Sequence, residues 1–110
     1  MAYDEDLANR LRELLSALDG VTEKKMFGGL AFLLHGKLAV SASGRGGLLV
    51  RVDPADAAQY LARPHVELMD MGGRLMDGWV VVGSEGLKTR RQLTTWVDRG
   101  VRFADSLTPK

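Results

Sequence analysis

Several groups of residues in this sequence are of types that could do chemistry. A Gly28-Gly29 pair follows two lysines in "EKKMFGGLAFLLHGKLAV", the setting in which a glycine-rich loop could cradle a phosphate. His35 and His65 are the two imidazoles, and Glu67, Asp70 and Asp77 lie close enough in the chain to work as an acid and base pair. Ser41, Ser43 and Ser84 supply hydroxyls. Lys88, Arg90 and Arg91 form the densest basic cluster, with Arg99 and Arg102 following, and could meet nucleic-acid phosphates or a partner. Met69, Met71 and Met76, with Trp79, could line an adaptable hydrophobic groove, because the flexible thioether repacks around varied partners.

Spacing removes most of the catalytic readings. A P-loop is longer and ends in Lys-Ser/Thr at a helix start, whereas Gly28-Gly29 leads into the apolar run of Leu30 to Leu34. A bulge or tight bend between strands explains the pair better. A zinc site takes about three or four protein ligands, often in local pairs, and the two histidines stand alone beside Gly36 and Pro64. Fourteen acidic residues in a small domain produce near pairs without catalysis, and the serines lack a nucleophile-elbow context. The basic cluster has neither interleaved aromatics nor a groove-reading motif, so a solvated face competes with weak nucleic-acid binding. The methionines compete with ordinary core filling. The sequence therefore nominates no catalytic residue, no cofactor and no metal site.

Composition sets the wider limits. The 110 residues suit one domain, spanning 1–110, and 45% hydrophobic against 26% charged is the balance of an ordinary globular chain. A net charge of +1 gives no overall pull toward polyanions. The absence of cysteine removes disulfides and thiolate chemistry. "MAYDEDLANRL" is acidic where a secretory signal would be basic, and no apolar run approaches the roughly 18 residues that span a bilayer. The expectation is a cytoplasmic protein without membrane contact.

Periodicity then supplies the elements. Leucines at 7, 11, 14, 15 and 18 mark one face of a helix that begins near Asp4 and stops by Gly20. Between Met26 and Val52 the period shortens and glycines punctuate, which predicts three strands. Asp53-Pro54 opens a short helix that Pro64 ends. "VELMDM" and "WVVVG" flank "GGRLMDG", where the glycines and Asp77-Gly78 predict the return of a hairpin. Thr89 and Gln92 have capping-box spacing before a stripe of Leu93, Trp96, Val97, Gly100, Val101 and Ala104. A glycine on such a stripe implies close packing against another element. The fold class is α+β: helix, three strands, helix, two strands, helix, with a mainly antiparallel five-stranded sheet carrying the helices.

"KKMFGGLAFLLHGKLAV", "LLVRVDP", "GRLMDGWVVV" and "LTTWVDRG" occur in an order that resembles the N-terminal domain of the TfoX/Sxy family, from about Arg12 to Ala104. The motif residues are Met26, Phe27, Gly28, Gly29, Trp96 and Gly100. The resemblance implies a secretion-chaperone-like α+β domain with no established catalytic activity or metal. It also implies a part in competence and transcription regulation, since full-length relatives act with the cyclic-AMP receptor protein at promoters. Together these readings predict a non-enzymatic regulatory or adaptor module working through protein contacts. A nucleic-acid accessory using Lys88, Arg90 and Arg91, or a small-molecule sensor, is the alternative. A homodimer is expected, because strands as apolar as "LAFLL" and "WVVV" would be natural pairing templates at a sheet edge.

Overall fold

The structure is a computed structural model that describes residues 3–107 except Phe27, Arg45 and Gly72, and the backbone alone at Met71, Arg74 and Met76. Helix α1 runs Glu5–Leu15, followed by strands β1 Val21–Met26, β2 Gly29–Leu34, β3 Lys37–Ala42 and β4 Leu48–Arg51. Helix α2 is Pro54–Leu61, β5 and β6 are Val66–Met71 and Arg74–Val82, and a 3-10 turn at Ser84–Gly86 leads into α3, Arg90–Ser106. Among the described residues the strands form one sheet in the order β1-β2-β3-β4-β6-β5, every pairing antiparallel. No helix among these residues is long and apolar enough to cross a membrane.

The fold class is the expected α+β, with one strand more than the expected five. The addition is β1, whose sequence VTEKKM has no apolar alternation to announce it, because as an edge strand it leaves Thr22, Glu23, Lys24 and Lys25 exposed. A second correction concerns the edges. "LAFLL" lies in β2 and "WVVV" in β6, both interior strands, so neither offers a free ladder. The last hairpin also turns earlier than expected. It reverses between Met71 and Arg74, where the Gly73 N–H donates to Asp70 Oδ1 at 2.7 Å. Asp77-Gly78 instead sits inside β6, where the register with β5 shifts between Leu68 and Met69 and the Val52 N–H donates to the Gly78 carbonyl.

Local chemistry explains the helix ends. The Asp4 carboxylate accepts from the Asp6 and Leu7 N–H groups, and Asp53 does the same for Ala55, so each fills donors that a helix start leaves open. At α3 the box is reciprocal: Thr89 Oγ1 accepts from the Gln92 N–H and Gln92 Oε1 from the Thr89 N–H, both at 3.0 Å. Helix α1 ends at Leu15, before the expected Gly20, and Leu18 is left 40% exposed.

All three helices contribute to one core. Leu7, Leu11 and Leu15 of α1, Ala57 of α2, and Leu93, Trp96 and Val97 of α3 join Leu30, Phe32, Val40, Val50, Val80 and Val82 of the sheet. The register of β2 and β3 shifts between Phe32 and Leu33, leaving Ala39 as an extra residue in β3. Ala39 thereby packs with Leu34 and Ala104 beneath α3, while Leu38 joins Leu33 on the opposite side. At one end Arg12 grips Glu23 of β1 through two hydrogen bonds of 2.9 Å, fastening α1 to the edge strand.

Candidate functional site

Strand alternation sends Ala31, Leu33, Leu49 and Val81 to the face that carries no helix among the described residues. There they form a separate apolar cluster with Met26, Leu38, Met69 and Trp79. Along this face runs a cavity of about 480 Å³ bounded by Met26, Leu49, Met69 and Val81, with Glu67 and Asp70 as the charged residues among its described lining. The structure thus places Met69 and Trp79 of the sequence-nominated groove in one cluster. The side chains of Met71 and Met76 lie outside the described residues. Arg51 lies over Trp79 with its Cζ 5.3 Å from the ring centroid, and 5.6 Å from that of Phe103 on α3.

The motif residues do not converge on one site. Gly28 turns the β1–β2 hairpin with a φ of +75°, a conformation suited to glycine, and Gly29 lies where a Cβ would run into the Ala42 carbonyl oxygen. Gly28-Gly29 is therefore accounted for by hairpin geometry, and Phe27 lies outside the described residues. Trp96 and Gly100 lie across the sheet from them, in the helical layer.

The other chemical candidates separate in the same way. His35 and His65 occupy different corners, each exposed and each in the left-handed region, with φ of 50° and 66°. Among the described residues no three His, Asp or Glu side chains come close enough to hold a metal. Ser41 is buried, and its Oγ donates to the Leu30 carbonyl at 3.1 Å. The basic cluster divides. Lys88 pairs with Glu85 at 2.8 Å and holds that carboxyl below the usual range, chiefly through their hydrogen bond. Arg90 pairs with Glu13 of α1 at 3.2 Å.

Arg91 belongs to a different group. It lines a cavity of about 350 Å³ between the α2–β5 loop and α3, together with Arg63, His65, Thr95, Trp96 and Arg99. Arg99 is half-buried, with its Cζ 4.4 Å from the Trp96 ring centroid and 4.7 Å from that of Tyr60. The two rings meet edge to face at 5.6 Å. Burial pushes the Arg99 pKa down, and the positive charge of Arg63 pushes the same way. Sequence reasoning missed Arg63 and took His65 only as a lone imidazole, because both come from a loop far from α3 in the chain. Arg91, Thr95 and Arg99 were the available signal, since residues four apart share a helix face.

The shape and chemistry of the molecule thus offer an apolar sheet face, bordered by a cavity that Glu67 and Asp70 both line, and a basic corner, with no metal cage among the described residues. No curated protein matches the chain. The family model of the TfoX N-terminal domain matches residues 13–104, and the chain belongs to that family.

Proposed function

We propose that the protein is a non-enzymatic, competence-regulator-like module that works as an adaptor, docking an apolar segment of a partner protein on the helix-free face of its sheet. The observation behind this reading is the cluster of Met26, Leu33, Leu49, Met69, Trp79 and Val81 on that face, bordered by a cavity of about 480 Å³. Glu67 adds a carboxylate to its described lining, so the complementary segment is apolar and carries a lysine or arginine. Two methionines and a tryptophan suit such an occupant, because they supply adaptable area with a rigid anchor. A second copy of the chain is the alternative occupant, which would make the homodimer the working unit.

Site-specific photo-crosslinking in cells tests this. A photoreactive residue at Met69 or Val81 should capture one defined protein, while one at Asp98 on the exposed side of α3 should not. The purified partner should then bind the wild type and lose about tenfold in affinity to Met69→Asp, on the scale of one interface anchor. Capture of the chain by itself would assign the face to self-association. Equal capture from Asp98 would overturn the reading.

A further inference from the structure

We propose that the cavity formed by Arg63, His65, Arg91 and Arg99 is a binding site for the phosphate group of a small phosphorylated molecule. This is independent of what docks on the sheet's open face. Three guanidinium groups and an imidazole line one concavity, and no carboxylate stands among its described lining residues. Among the described residues none of the three arginines takes part in an ion pair of the kind that occupies Arg12, Lys88, Arg90 and Arg102. Glu85 acts on His65 from outside the cavity and Arg99 also borders a second cavity with Asp53 and Asp56, so it is the repulsion among the three guanidinium groups that a bound dianion would relieve.

The site is also prepared for recognition. Arg99 rests against Trp96 and Tyr60, so its planar fork is held before any ligand arrives and less side-chain freedom is lost on binding. Arg91 stands on the same face of α3 two turns before Arg99, with Thr95 one turn before it, the Thr95 hydroxyl being donated to the Arg91 carbonyl at 2.8 Å. A guanidinium fork matches phosphate oxygens in pairs, which favours phosphate over a simple halide. At about 350 Å³ the cavity has the size of a small-ligand site. A nucleic-acid backbone fits less well, because the chain's net charge is +1 and the flanking Lys88 and Arg90 are already engaged with Glu85 and Glu13.

Calorimetric titration of the full chain with inorganic pyrophosphate at low ionic strength tests the site. Saturable binding is expected, with amide shifts at Gly86 and Thr95 in a parallel NMR titration. Arg63→Gln and Arg91→Gln, both at exposed positions, should each weaken binding about tenfold, the scale of one charge-assisted hydrogen bond, while leaving the ligand-free melting temperature unchanged. Arg99→Lys should weaken it too, since it keeps the charge and loses the fork. The proposal fails if pyrophosphate shows no saturation, or if Lys88→Gln and Arg90→Gln weaken binding as much as Arg63→Gln. It fails equally if an oligonucleotide binds more tightly than pyrophosphate and depends on Lys88 and Arg90.

Discussion

Gly100 of α3 meets Ala39 of β3 backbone to backbone: a Cβ on Gly100 would run into the Ala39 carbonyl oxygen and lie 2.9 Å from Val40 Cγ1. The glycine thus sets how closely the longest helix approaches the sheet. Gly100→Ala improves helix propensity by about 1 kcal/mol but forces apart a packed backbone contact, an overpacking cost of about 1–3 kcal/mol. The second effect should win, and a thermal melt should show a transition several degrees below that of the wild type. A rise would mean that the helix can lift off β3 freely.

The two hairpin glycines should respond differently. Gly28 has open space around its missing side chain and only its positive φ to defend, so Gly28→Ala should cost about 1–2 kcal/mol. Gly29→Ala drives a methyl into the Ala42 carbonyl and should cost more. Urea unfolding of both variants checks the order, and a reversal would place the strain at Gly28.

The Arg12–Glu23 pair gives a pH dependence of known sign. The Arg12 hydrogen bond holds the Glu23 pKa below 4.5, its ordinary value, against a smaller upward push from burial. A depressed carboxylate contributes stability that is present above the unfolded value and lost as pH falls through the folded one. Melting temperatures of the wild type and Glu23→Gln should therefore differ above pH 4.5 and converge below it. Both side chains are more than a third exposed, so the difference should be small and should shrink with salt.

Strand β1 guards its edge with charge. Replacing Lys24 and Lys25 by valine removes two exposed cations from an unpaired ladder and should raise the weight-average mass in sedimentation equilibrium above that of the wild type. An unchanged mass would show that twist or the neighbouring helix protects the edge.

The helices were legible in the sequence because their signals are local. Asp4, Asp53-Pro54 and the Thr89/Gln92 box each act within one turn, and the leucine and tryptophan stripes report one buried face. Strand β1 was not legible, since an edge with solvent on most sides imposes no apolar period on Thr22 to Lys25. The misplaced hairpin return has a related cause: Asp77-Gly78 carries turn chemistry, but its backbone serves a shift within β6 that only the pairing of β4, β5 and β6 reveals. The open face was half visible through Met69 and Trp79. The basic corner was hidden because it joins Arg63 to Arg99 across a loop, a strand pair and a turn.

One junction of the sheet differs from the rest. Every other ladder joins strands adjacent in the chain, whereas β4 meets β6 only after α2 and β5 have been passed over. Chain entropy lost in closing that span is repaid only when Leu49 finds Val81 and Val50 finds Val80. The seam is thus where folding speed is decided, because non-local pairing slows a domain more than size does. Val80→Ala should separate a seam formed before the barrier, seen as slower refolding, from one formed after it, seen as faster unfolding. With the hairpins on either side local and quick, slower refolding is the expected result, and the β4–β6 contact would be the event that commits the chain to its native state.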